Sequence, residues 1–461
     1  MTRRVSVLTL LACFGLFGEV KLPPYTRQVL PNGVIVDLMP RGGVPLVEFR
    51  ILVKGGVESE PADLAGIASI TAQLLRKGTS RRTSDQFSEE LDFLGGTLQA
   101  VDAPQAAAAA ISAEFLKKDF DRGLDLVSDA VLHPAFPDAE VRKTLAQRID
   151  AAKSLKDNPQ AAIAQYFAAF FFGPNHPYGH PTDENTLSHI QRQDILSYHA
   201  RNYCGKNLIV VVTGDFDPDA VVPKIRQTFG SIAAGTAFEW SKPVPAAAGS
   251  RLLLIDKPDA TQTYFYIGQA GIDRKNSDRV KLTLVNTLFG GRFTSMLNEE
   301  LRVKSGLSYG AFSILQQPRL PGAIAVASYT KTESTEKALD LSLEVLKRIG
   351  EQGVTAEQLS SVKAYVKGTF PTQRLETSDQ LGSVLGDMEV YGLGKDDIDD
   401  LFSRIDAVSL SDANTVARKY YKAGNFTFVL LGNAAKIRDI AKKYAPKVTE
   451  VSISKAGIAT D

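Results

Sequence analysis

Gln193 to Gly230 reads QDILSYHARNYCGKNLIVVVTGDFDPDAVVPKIRQTFG, and Ser411 to Pro446 reads SDANTVARKYYKAGNFTFVLLGNAAKIRDIAKKYAP. A constant offset of 218 superposes Asp194 on Asp412, Tyr203 on Tyr421, Asn207 on Asn425, Val211 on Val429 and Gly214 on Gly432, without a gap. Each copy has the same grammar. A helix of about a dozen residues ends in an aromatic, basic cluster. An Asn turn follows, and then a short β-branched and aromatic run, Leu208–Thr213 or Phe426–Leu431, that reads as a buried strand. A Gly stops the strand and an amphipathic helix follows. Such a repeat predicts two halves of one fold.

Working outward, the halves span 24–235 and 251–450, with a tail at 451–461. Between them lies an Ala/Pro/Gly-rich stretch without periodicity, read as a linker at 236–250. Helical patterns cover Pro61–Lys77, Ser84–Leu94 and Leu116–Leu132, while Thr97–Val101 and Ala106–Ile111 read as adjacent strands. Strands grouped beside groups of helices predict an α+β fold, each half a mainly antiparallel sheet packed with helices.

The 461 residues carry 53 Lys plus Arg against 52 Asp plus Glu, a net charge of +1. No field of one sign dominates, which argues against a nucleic-acid partner or an anionic membrane. Residues 1–23 read as an export signal: Arg3-Arg4 leads into an apolar run from Val5 to Phe17, too short for an ordinary bilayer-spanning helix. A periplasmic location is expected. Leu10-Leu11-Ala12-Cys13 leaves open a lipid anchor on Cys13, the only route to a membrane. Cys204 then has no intrachain partner, so no disulfide framework is expected.

Several stretches in order carry a family resemblance: Leu30-Pro31-Asn32-Gly33-Val34, Val53 to Pro61, Leu64 to Thr79, His133-Pro-Ala-Phe-Pro, Asp157-Asn-Pro, His176-Pro-Tyr-Gly and Gly214-Asp-Phe-Asp-Pro. Together they resemble the pitrilysin/insulinase zinc peptidases, whose bacterial members are close to mitochondrial processing peptidase. The fold implied is the LuxS/metallohydrolase-like one. That family bears an inverted zinc motif, H-x-x-E-H, on a helix ending in a Lys-Gly-Thr-like turn. Anchored on Gly66 and Lys77-Gly78-Thr79, the resemblance sets the first His at Ser69, the Glu at Ala72 and the second His at Gln73. The third ligand falls near Gln147-Arg148-Ile149. Ser69 and Gln73 are poor zinc ligands, Ala72 is no base, and Arg148 repels a cation. No metal or other cofactor is expected in this chain, and no activity from it alone. His176 and His180 are four apart, but Pro177 and Gly179 lie between them, so this segment reads as a surface turn.

The second half resembles the family's other signature. Leu288-Phe-Gly-Gly-Arg-Phe-Thr-Ser-Met-Leu-Asn-Glu-Glu-Leu-Arg302-Val-Lys-Ser-Gly-Leu-Ser-Tyr309-Gly carries its Gly-Gly, Ser-x-Leu, Leu-Arg and Gly-Leu-x-Tyr elements. In relatives the Arg and the Tyr seven residues later contact substrate carbonyls beside the zinc. The resemblance gives those roles to Arg302 and Tyr309. Gly290-Gly291 allows a sharp turn or a close backbone approach.

The resemblance therefore implies a zinc-less subunit of a heterodimeric peptidase. An H-x-x-E-H partner would hold zinc, and Arg302 and Tyr309 would grip peptide substrates in trans. The alternative is a non-enzymatic scaffold or peptide-binding protein of the same fold, similar to the core subunits of respiratory complex III. No nucleophile–His–acid signature supports a self-sufficient peptidase of other chemistry.

Overall fold

A computed structural model describes residues 19–101, 105–244 and 249–461. The proposed lipid site Cys13 and most of the predicted signal lie outside them. The first half builds a six-stranded sheet from β1 (Thr26–Val29), β2 (Ile35–Pro40), β3 (Leu46–Lys54), β4 (Thr97–Val101), β5 (Ala108–Leu116) and β6 (Leu208–Gly214), in the order β1-β2-β6-β3-β5-β4. The second half builds another from β7 (Arg251–Asp256), β8 (Gln262–Ala270), β9 (Ala311–Leu315), β10 (Ala323–Lys331), β11 (Thr427–Gly432) and β12 (Lys447–Ser452), in the order β12-β7-β11-β8-β10-β9. The α+β expectation holds, and antiparallel pairs predominate in both sheets.

The repeat survives to the level of register. β6 is inserted parallel to β2 and antiparallel to β3, with Ile209 opposite Ile35 and Leu52. β11 is inserted parallel to β7 and antiparallel to β8, with Thr427 opposite Arg251 and Gly268. The halves differ at one edge: β1 precedes and pairs antiparallel to β2, whereas β12 follows β11 and pairs parallel to β7.

Alternate side chains of these strands point to opposite faces, and the two faces meet different partners. Leu208, Val210 and Val212 face helices of their own half, whereas Ile209 and Val211 belong to the core shared with the second half. There the helix Ser378–Tyr391 crosses over and packs on β3 and β6. Reciprocally, the first half's helix Pro159–Phe172 packs on β8 and β11, where Ile163, Phe167 and Phe171 cluster with Leu253, Val429 and Leu431. Local chemistry delimits both helices. Thr377 and Gln380 form a capping box, Gly392 ends the second helix at φ 58°, Asn158 caps the first, and Gly173 ends it at φ 76°. Each fully buried Leu or Ile in these layers contributes roughly 1.5–3 kcal/mol. The exchange therefore makes one body of two halves.

Three segments drawn outside the two halves meet packing or hydrogen-bond partners in them. Just before the predicted end of the signal at residue 23, Val20 and Leu22 are buried in the shared core, and Leu22 N donates to Asp399 Oδ1 at 2.8 Å. Two apolar side chains have a site there that pattern alone does not reveal. The second half was closed at 450, but β12 runs to Ser452. Beyond it, Gly457 and Ile458 donate backbone N–H groups to Glu184 and Asp183. The linker has no helix or strand from 233 to 244, but it is strapped down: Asn207 bonds Thr236 and Phe238, and Arg319 bonds Ser241 while covering Trp240 at 4.8 Å.

One buried charge in the shared core yields a pH prediction. Asp37 on β2 is 1% exposed and neither carboxyl oxygen has a hydrogen-bond partner; burial pushes its pKa up to about 7. The unfolded chain ionises this group near pH 4. Folding therefore retains a proton between about pH 4 and pH 7, and this group's contribution to stability falls as pH rises through that window and is level above it. Asp37→Asn removes the penalty. Its stability advantage over wild type should shrink by at most about 4 kcal/mol between pH 8 and pH 4, read from urea unfolding at the two pH values.

Candidate functional site

The helix Ile67–Leu74 carries Ser69, Ala72 and Gln73, the positions that the resemblance aligns with the zinc motif. Its entry is fixed by Gly66 at φ +100°, where a Cβ would meet Thr182 Cγ2 at 2.6 Å, so glycine is required on two grounds. The Glu60 carboxylate accepts from Gly66 N at 3.0 Å and Ala68 N at 2.9 Å, satisfying first-turn N–H groups. Past its exit, Thr79 donates to buried Asp129 at 2.6 Å, and Arg81 and Arg82 donate to the same carboxylate at 2.9 and 2.7 Å. Those bonds hold the Asp129 pKa below the usual range, against the effect of burial. Both ends of the helix are thereby pinned.

Ser69 and Gln73 lie one turn apart on this helix, as the spacing requires. Arg148, on the helix Asp138–Leu155, donates from a terminal guanidinium nitrogen to Ser69 Oγ at 3.0 Å. The residue aligned with the first ligand is thus bonded to a permanent cation from the stretch where the resemblance sets the third. Zinc needs three or four His, Cys or carboxylate donors at about 2.0–2.3 Å, and no group of three such side chains that could hold a metal occurs among the described residues. This donor set does not fit zinc. What remains is a cleft of about 510 Å³ walled by Ser69, Ala72, Arg148 and several alanines, with Gln165 and His180 at its side.

The His-Pro-Tyr-Gly segment was read as a surface turn, but it is buried and joins the halves. His176 is 4% exposed and its Nδ1 accepts from Tyr178 N at 3.1 Å. Burial, with His180 nearby, lowers its pKa to about 4, so it is neutral at pH 7. The Tyr178 hydroxyl accepts from Leu320 N, across the chain, at 3.1 Å.

Arg302 and Tyr309 lie on the second half, and neither lines the cleft, although Gln316 from the same half does. Arg302 sits in the short helix Glu299–Lys304 and is exposed, its guanidinium 4.7 Å above the Phe293 ring. Tyr309 is 79% exposed, at the turn into β9. The scaffold beneath them is rigid. Ser308 N donates to Leu301 O at 3.0 Å, tying the turn to the helix. Ser308 Oγ and Ser328 Oγ both donate to Gly310 O, at 2.8 and 2.9 Å. Gly290 lets the preceding segment lie against β9, since a Cβ there would meet Ser313 N at 2.4 Å. Phe293, 63% exposed, was not singled out in the sequence; its position after the Gly-Gly pair was the available signal. A guanidinium and a phenol held outward on a fixed scaffold can donate to carbonyl oxygens of a molecule docked from outside.

The profile described as "Insulinase (Peptidase family M16)" matches residues 43–176, and "Peptidase M16 inactive domain" matches 189–366. An uncharacterised zinc protease of Mycobacterium bovis is 29% identical over 406 residues, covering 85% of this chain and 90% of that protein. The crystal structure of the peptidase M16 inactive domain from Pseudomonas fluorescens superposes with a TM-score of 0.82 at 21% identity, covering 89% of this chain and 98% of that one. The periplasmic protease PqqL from Escherichia coli superposes with a TM-score of 0.73 at 15% identity, covering 93% of this chain but 49% of that one.

Proposed function

As the chain belongs to the pitrilysin/insulinase family of peptidases, family M16, we propose that it is the zinc-less subunit of a two-chain peptidase. Its partner would be a homologous chain with an intact H-x-x-E-H motif. The observation that carries this reading is the separation inside one molecule. The metal-site positions hold an Arg148–Ser69 hydrogen bond, while Arg302 and Tyr309 face solvent elsewhere and serve no contact of their own chain's cleft. The match to about half of PqqL, a protease roughly twice as long, is consistent with two such units completing one enzyme.

In this division the activated water would come from zinc held by the partner. This chain supplies position and charge. The Arg302 fork holds a substrate backbone carbonyl, and the Tyr309 hydroxyl donates where negative charge develops on the oxygen of the scissile bond. Both contacts are to main chain, so extended peptides of varied sequence are the expected substrates. Among the described residues no helix is long and apolar enough to cross a membrane; we place the protein in the periplasm on its N-terminal pattern, with lipidation of Cys13 as the alternative.

The test is reconstitution. Purified alone, the chain should contain substoichiometric zinc and leave a quenched peptide intact. Mixed with its H-x-x-E-H partner it should form a one-to-one complex that cleaves. Stoichiometric zinc together with cleavage by the lone chain would end this reading. Peptide binding without any active partner would favour the scaffold alternative, which the retained cleft supports.

A further inference from the structure

A second cleft, of about 500 Å³, opens on the second half between the start of the helix Arg279–Asn286, the turn after Tyr391 and the helix Leu401–Ala407. Three guanidiniums from three separate segments, Arg274, Arg279 and Arg404, meet along its wall. They share too few acceptors. Arg279 and Arg404 both donate to the same oxygen of buried Asp397, and the same terminal nitrogen of Arg404 also donates to the Asp396 and Asp397 carbonyl oxygens; Asp396 and Asp412 line the cleft as well, the latter paired with Lys281. The Arg274 guanidinium makes no hydrogen bond among the described residues. Its nearest carboxylate, Asp387, lies 3.7 Å away and already accepts from Arg374 at 2.9 Å. Nε of Arg274 and Nε of Arg404 are buried without an acceptor.

Buried guanidinium donors left unpaired are costly, and like charges held together add to that cost. Burial and the neighbouring Arg274 and Arg404 hold the Arg279 pKa below its ordinary value, despite Asp397. A compact anion with several acceptor oxygens would answer all three side chains at once. The Asp397 carboxylate serves two of the guanidiniums through one oxygen, whereas a tetrahedral dianion offers acceptor oxygens to donors arriving from three segments. We propose that this cleft is a binding site for a phosphate-type dianion, either free inorganic phosphate or the phosphate group of a small monoester. The size of the cleft leaves room for an ester's organic body. Tyr391, under Arg274 at 5.6 Å, and Asp387 both belong to the helix that crosses to the first sheet, so an occupied site would also brace that crossing.

Calorimetric titration of the full chain with inorganic phosphate and, separately, glycerol phosphate tests the site, with ionic strength held constant by chloride. Saturable binding to one site is expected. Arg274→Gln and Arg404→Gln should each weaken it by about tenfold or more. Arg274→Lys, which keeps charge but loses the fork, should fall between. Lys443→Gln, which removes an exposed cation paired with Glu336 outside the cleft, should bind as wild type. Tighter binding of one probe identifies the source of the phosphate group. The proposal is overturned if neither probe saturates, if both glutamine variants bind as wild type, or if Lys443→Gln loses as much affinity as they do. Should Arg274→Gln fail to fold, by circular dichroism, Arg404→Gln and Arg274→Lys decide.

Discussion

In the reconstituted complex, Arg302→Ala is expected to lower peptide turnover by about 10²-fold, the scale of losing a group that positions the substrate carbonyl, while leaving bound zinc unchanged. The size of the effect follows from how the side chain is held. Arg302 rises from a helix tied through Leu301 to the Tyr309 turn, and its guanidinium lies over the Phe293 ring, which narrows its range of directions before substrate arrives. A preorganised donor is worth more than a free one because no reorganisation is needed at the moment of reaction. Tyr309→Phe keeps the ring and deletes only the hydroxyl that would meet the developing oxyanion, so a loss of about 10²–10³-fold is expected. Arg302→Lys keeps the charge but not the fork and should not restore full turnover. Steady-state rates on a quenched peptide, with metal analysis of each complex, provide the measurement. Wild-type turnover in Arg302→Ala would remove this side chain from the mechanism, and loss of zinc in parallel with activity would mean that it acts through assembly.

The sheet architecture was legible because the two copies share their punctuation. Helix, Asn turn, apolar strand and stopping Gly recur at one offset, and the strands that carry the pattern, β6 and β11, are central in their sheets and buried along their whole length. A fully buried strand has no polar face to interrupt its apolar run, so the signal is strong. The degenerate metal positions rest instead on the family resemblance, which aligns Ser69, Ala72, Gln73 and the stretch around Arg148 with the motif; once so aligned, Ser, Ala, Gln and Arg differ in kind from the donors zinc requires.

The exchange of helices was not legible. The apolar stripe of Ser378–Tyr391 would suit either sheet, and nothing in a periodic pattern names the surface that it covers. The same limit hid the His176–Tyr178 bridge, where the deciding bond is to Leu320, 142 residues away. It also hid the guanidinium cleft, since Arg274, Arg279 and Arg404 are scattered along the sequence and only the fold gathers them. Sequence period reports which face is buried; contact with a distant element reports against what.

That distinction makes the second large effect a packing one. Gly268→Val on β8 should destabilise the chain by about 3 kcal/mol, the upper end for overpacking a well-filled core. The position lies inside the second sheet, opposite Thr427 on β11 and Ala325 on β10, so its backbone is held on both sides. A Cβ there would lie 2.4 and 2.5 Å from two ring atoms of Phe167, on the helix contributed by the first half. Neither body yields readily: the strand is hydrogen-bonded to both neighbours, and Phe167 is buried and stacked on Phe171 at 5.2 Å. If the helix is displaced, the whole Pro159–Phe172 layer loses its seat and the halves lose one of their two reciprocal clasps. Gly268→Val combined with Phe167→Leu replaces a ring by a shorter side chain at the point of collision and should recover a substantial part of the loss. Thermal or urea unfolding of wild type, both single variants and the double variant gives the coupling directly. Strictly additive losses would mean that these two side chains do not meet, and the reciprocal packing of the two halves would have to be drawn again.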